Sequence, residues 1–222
     1  MVHTAYTPHD EWTLLDKYVT DAGVPNLTLL DIAPMEAHLR ALTGVLPDIF
    51  NVRAMLFQYK TTGTVASVTQ EFEFNAAIGP GTMDAIKRST GSFITDGFTD
   101  GCQINVSGTA FGYNDGDFTV LSVTATLLEL EPGSRFAEDE TVSCTIITKE
   151  SLIVSAMTTE FSNRADFLAA ESTSDTGSTT VLAADDRLVV KMWGKRLEGP
   201  GGYLGVQTEG DYPFYMVLTD TT

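Results

Sequence analysis

Between residues 88 and 148, short runs of β-formers are cut every few positions by Gly, Asn, Asp and Ser. Punctuation this dense commits the stretch to short antiparallel strands joined by turns. A strand over 103–106 is stopped by Ser107 and Gly108. Asn114, Asp115 and Gly116 stand between two β-prone runs and read as a hairpin turn. Strands over 118–123, 126–130 and 141–148 complete a small module.

The flanking chain is also β-rich. Residues 50–60 place Val52, Ala54 and Leu56 on one side and Arg53, Met55, Phe57 and Tyr59 on the other. Apolar residues on both faces predict a central strand. Residues 65–74 form the next strand. Residues 36–41 alternate strictly, with Ala37, Leu39 and Ala41 opposite Glu36, His38 and Arg40. That period favours strand although the residue types favour helix. Residues 24–34 carry two prolines and read as an extended segment followed by a turn. The best helix candidate is 9–21, where Asp10 is placed to cap and Trp12, Leu15, Tyr18 and Val19 share a face. Gly23 and Pro25 would stop it.

Beyond the module, 151–157 and 187–193 read as strands, 161–170 fits a helical turn or a strand, and 171–180 has the composition of an exposed loop. The last strands are expected at 203–207 and 214–218. The strands before residue 79 and after 149 lack partners separately but suffice together. The expected fold is therefore mainly β: an antiparallel, jelly-roll-like β-sandwich carrying a small inserted β module and a short N-terminal helix. The corresponding division is an arm over 1–22, a sandwich over 23–78 plus 149–222, and the inserted module over 79–148.

Asp and Glu total 30 against 13 Lys and Arg, a net charge of −17. Such a surface repels phosphate backbones, so direct nucleic-acid binding is not expected. No apolar run is long enough to span a bilayer. The first residues lack the basic and apolar regions of an export signal, which points to folding in the cytoplasm. Cys102 and Cys144 both lie in the module; without an export signal, free thiols are favoured over a disulfide.

Chemistry is sparse. His3, His9 and His38 are scattered and no Cys-x-x-Cys occurs, so neither a metal nor a cofactor is expected. Glu138, Asp139 and Glu140, like Asp185 and Asp186, sit beside turns as solvated carboxylates. Residues 114–117 begin like a calcium loop, but Phe118 breaks the ligand spacing. No nucleophile motif is present, and no catalytic residue is assigned. Trp12, Trp193, Tyr203, Tyr212 and Tyr215 are the candidate contact aromatics; core packing is the commoner fate of such residues.

The run from Arg88 through Phe98, with 104–108, 118–126 and the closing run 138–146, resembles a small β module of tailed-bacteriophage virion proteins, found in tail-tube subunits and other structural components. Residues 184–195 resemble, more patchily, a strand of β-sandwich domains in phage fibre and head-surface proteins. The resemblance implies a non-enzymatic virion protein, assembled as a trimer or ring beside the major capsid or tail proteins. A capsid-surface decoration or fibre-like role is the first expectation. A tail-tube or tail-adaptor subunit, and a carbohydrate- or receptor-binding module, are the alternatives.

Overall fold

The structure is a computed structural model. It describes residues 2–6, 12–20, 28–42, 49–76, 83–132, 134–157, 161–162, 168–172, 180–183, 185–198, 203–207 and 215–220. The strands in chain order are β1 Val2–Tyr6, β2 Trp12–Val19, β3 Thr28–Leu42, β4 Ile49–Tyr59, β5 Ala66–Asn75 and β6 Ala85–Lys87. After a helical turn, α1 Phe93–Asp96, come β7 Gln103–Ser107, β8 Gly116–Val123, β9 Leu127–Leu130, β10 Glu140–Thr148 and β11 Glu150–Met157. The remainder are β12 Phe161–Ser162, β13 Leu168–Ser172, β14 Thr180–Val181, β15 Arg187–Glu198, β16 Tyr203–Gln207 and β17 Tyr215–Asp220. Two compact units result: Met1–Leu56 with Ile153–Thr222, and Phe57–Leu152.

The unit Phe57–Leu152 contains a closed barrel with strand order β10-β5-β6-β9-β8-β7. This corrects the expected jelly-roll-like sandwich. The reason lies in β10, which pairs with β5 from Glu140↔Phe74 to Thr148↔Ala66 on one edge and with β7 from Thr145↔Ser107 to Thr148↔Ile104 on the other. One long strand thus consumes the two edges that a sandwich would leave open, and closure removes the need for a second layer. Strand β5, which the sandwich reading gave to the outer domain, is a barrel stave.

The barrel interior follows from period two. Phe72 and Phe74 of β5, Ile104 and Val106 of β7, Val120 of β8, Leu128 and Leu130 of β9 and Ile146 of β10 are all buried. Two ring groups close the packing. Phe93 meets Phe72 at 5.9 Å and Phe98 at 5.5 Å, and Phe136 meets Phe74 at 5.1 Å and Phe118 at 5.0 Å. Cys102 and Cys144 are free and buried in this unit.

The helix of the described residues is α1, in mid-chain, not the N-terminal segment expected from 9–21. Ser92 caps it by accepting from the Thr95 amide at 3.2 Å, and Gly97 ends it at φ 98°. The segment expected to be helical instead forms β2, paired with β15 from Val189↔Val19 to Lys195↔Trp12. Thr13, Tyr18 and Val19 are good strand formers, and a ladder partner outweighs a marginal helical stripe. Residues 9–11 and 21 lie outside the described residues.

In the other unit, β3 runs through Pro34, where an extended segment and a turn were expected. Its register with β17 shifts between Met216↔Met35 and Leu218↔Ile32, so the irregularity falls where proline has no N–H to give. The full sheet has six strands, ordered β1-β16-β3-β13 with β14 and β17 also on β3. A second sheet is ordered β11-β4-β15-β2, with β12 on β4. Strand β4 is interior there and buries Phe50, Val52, Ala54 and Leu56, as its two apolar faces predict. The ambiguous 161–170 stretch contributes β12 and the start of β13; most of the expected loop after it lies outside the described residues.

Candidate contact site

The connection from β7, ending at Ser107, to β8, starting at Gly116, is longer than the turn expected at Asn114–Gly116 alone. It projects a short 3₁₀ turn, Ala110–Gly112. A β-turn is closed by the Gly112 amide donating to the Thr109 carbonyl at 3.2 Å. Phe111 occupies its third position with φ 62° and ψ 5°, the backbone geometry that favours Gly or Asn there. A bulky aromatic residue at positive φ is uncommon and strained. Phe111 is 88% exposed, and Tyr113 beside it is 59% exposed. The two rings lie 5.8 Å apart, tilted by 37°.

Beneath this tip the chain is tied down. Asn114 is fully buried. Its Nδ2 donates to the Glu138 carbonyl at 3.0 Å and to Glu140 Oε1 at 2.6 Å, and its Oδ1 accepts from the Ala137 amide at 2.8 Å. The other oxygen of Glu140, Oε2, accepts from the Ala110 amide at 3.1 Å. One Asn and one Glu therefore anchor the loop to the strand entering β10, with both functional ends of the amide used.

Asp115 braces the turn from the other side. Its Oδ1 accepts from both the amide and the hydroxyl of Thr109, each at 2.8 Å. These two hydrogen bonds, the amide first, hold its carboxyl below the usual range and outweigh a slight effect of burial. Its Oδ2 lies 3.7 Å from where a Cβ on Gly112 would sit, so a carboxylate oxygen stands close under the residue that separates the rings. Cys144, nearby on β10, has its thiol pushed up to about 12 by burial and then by Glu140 and Asp115. It is an inert core thiol in this setting.

No family model matches the chain, and no curated protein and no solved structure gives a significant match. The site must be argued from its own geometry.

Of the five aromatics singled out in the sequence, Trp193 is the one whose side chain is among those described. Trp193 is fully buried, with the Arg53 guanidinium 6.0 Å from its ring centre. It is a core residue of its unit and presents no ring to a partner. Trp12 lies on β2, whereas Tyr203 and Tyr215 lie on β16 and β17 of the other sheet. Tyr203 pairs with Leu42 and Tyr215 with Glu36 of β3, positions roughly 20 Å apart along an extended strand. The side chains of Trp12, Tyr203 and Tyr215, and Tyr212 as a whole, lie outside the described residues.

The residues that reading missed are Phe111 and Tyr113. Their signal was present: two rings within a turn run of Gly and Asn, with no apolar periodicity to draw them inward. A second concavity, a half-open cleft of about 340 Å³, is lined by Tyr59, Gln103, Asn105, Asp117, Lys149 and Glu150 among others. Its carboxylates are engaged: Asp117 accepts from Asn105 Nδ2 at 2.9 Å, and Glu150 accepts from the Gln103 amide at 2.7 Å. Among the described residues, no group of three or more His, Cys, Asp or Glu is placed to hold a metal ion, and no helix is long and apolar enough to cross a membrane.

Proposed function

We propose that this chain is a non-enzymatic structural protein of a tailed-phage virion, working at the capsid surface through contacts with copies of itself or with other virion proteins. The observation that carries the contact reading is the pair of exposed rings, Phe111 and Tyr113, on a loop fixed from beneath by a fully buried Asn114. The virion setting is drawn from the sequence resemblance of residues 88–148.

An aromatic ring held in water costs solvation, and a positive φ adds backbone strain. Burial against a partner recovers the first cost, at about 1.5–3 kcal/mol for each fully buried large apolar side chain. Anchors already fixed before contact lose little conformational entropy on binding, which is why such residues dominate interface energetics. A hydrogen-bonded loop that spends a buried Asn and two carboxylates to hold two exposed rings fits a contact element better than a fold element.

The test is assembly. Phage particles are purified from cells making either the wild-type chain or the double variant Phe111→Ser, Tyr113→Ser. The wild-type chain is expected to sediment with particles and the double variant to stay in the supernatant. A wild-type chain that never associates with particles overturns the virion setting. A double variant that assembles like the wild type overturns the contact role of the tip.

A further inference from the structure

We infer that the partner surface met by the Phe111–Tyr113 tip is a basic protein segment, whose Lys or Arg cation lies on the rings with its charge met by Asp115. The inference rests on the contact reading of the same loop and adds the chemistry of its partner.

Three observations support it. First, the rings flank Gly112, and Asp115 Oδ2 lies close beneath that residue. An exposed aromatic face with an anionic oxygen beside it suits a cation carried on an apolar stem, because the ring quadrupole and the carboxylate attract the same charge. Second, Asp115 Oδ1 is occupied by the two Thr109 donors, which fixes the carboxylate in place while Oδ2 points toward the tip. Third, the chain around the tip is acidic, and Arg135, the single basic residue within 103–148, lies 3.2 Å from Asp84. Residues 103–134 and 136–148 contain no Lys or Arg, while Asp115, Asp117, Glu138, Asp139 and Glu140 all fall within them. A basic segment would find complementary charge there, whereas an acidic one or a phosphate backbone would be repelled. Arginine is the stronger candidate, since its planar guanidinium stacks on a ring while donating to a carboxylate.

The full-length chain is titrated with a capped peptide carrying three Arg separated by Gly, with its Glu-for-Arg counterpart, and with a neutral oligosaccharide, cellotetraose. The ring resonances of Phe111 and Tyr113 are followed. The Arg peptide is expected to shift both, more strongly at low ionic strength, and the other two probes to leave them in place. Phe111→Ser or Tyr113→Ser alone should weaken the Arg peptide about two- to fivefold, the worth of one exposed cation–π contact. Asp115→Asn, which keeps the Oδ1 acceptor and removes the charge, should weaken it and flatten its salt dependence.

Equal shifts by the Glu peptide, shifts by cellotetraose, or no loss in the ring variants would overturn the inference. If the double ring variant fails to join particles and yet the wild-type rings ignore the Arg peptide, the basic-partner inference fails while the contact reading stands. If the ring variant joins particles normally, the contact reading itself has failed.

Discussion

Replacing Phe111 by Asn should make the barrel more stable while removing a contact residue. Phe111 sits at φ 62°, where an L-residue with a bulky side chain carries about 1–2 kcal/mol of steric cost. Asn tolerates this conformation, and Asn followed by Gly112 matches the turn's own preference. The losses are small. With 88% of the residue exposed, little apolar burial is given up, roughly 0.3 kcal/mol. The solvent-exposed ring pair with Tyr113 is worth about 0.5 kcal/mol at the low end of aromatic pairs. The net expectation is a gain of about 0.2–1.2 kcal/mol, from the difference between relieved strain and lost contacts.

Both tryptophans, Trp12 and Trp193, belong to the other unit, so indole fluorescence does not report on the barrel. Amide hydrogen exchange in β7, β8 and β10 does. The most protected amides there should exchange about 1.4- to eightfold more slowly in Phe111→Asn, which is about 0.2–1.2 kcal/mol expressed as a ratio. Faster exchange would refute the reasoning, because it would show that the ring supports the fold.

Four further outcomes follow from the same geometry. Asn114→Ala removes three side-chain hydrogen bonds from a fully buried position and should destabilise the barrel by about 2–4 kcal/mol in denaturant titrations, since buried groups are left unpaired. Gly91→Ala should lower stability by at least about 1 kcal/mol, because φ is 77° and the new Cβ would lie 2.1 Å from Arg88 Nη2, displacing a guanidinium paired with Asp96 at 2.5 Å; a neutral result in the same titration would contradict it. Asp115 has a depressed folded-state pKa, so its contribution is present above the ordinary carboxylate pKa and lost as pH falls below about 4 through the lower folded value. The protection of the Thr109 amide, taken against the intrinsic exchange rate at each pH, should fall over that range in the wild type and change less in Asp115→Asn. Cys144 should resist iodoacetamide at pH 8 in the folded chain and react once denaturant is added, given its burial and raised pKa.

Five of the six barrel strands were legible because each carries its own local signal; β6, only three residues long, was not read. Period-two burial marks 103–107 and 140–148, and Gly101 and Gly108 bracket the first of them. Closure was not legible, because it depends on β10 serving β5 and β7 at once, and pairing over that sequence distance leaves no local trace. The same cause explains β2: a stripe of Trp12, Leu15, Tyr18 and Val19 suits a helix until β15 supplies a ladder. The helical turn α1 was not read in the sequence, because four residues are too few to show a helical period. At the candidate site, sequence favoured Trp and Tyr on strands, where rings are commonly buried, as Trp193 is. Phe111 and Tyr113 did carry a signal, two rings in a turn run of Gly and Asn; what left no local trace is the positive φ of Phe111, which its residue type disfavours.

The claim that the barrel tip is a contact surface is tested most directly by placing a photo-cross-linking phenylalanine analogue at position 111 of the full-length chain in assembled particles. A control carries the analogue at Ile94, an exposed residue on α1 of the same unit. The account predicts that illumination joins position 111, and not position 94, to a second copy of the chain or to another virion structural protein. Cross-links from position 94 with none from position 111 would contradict it.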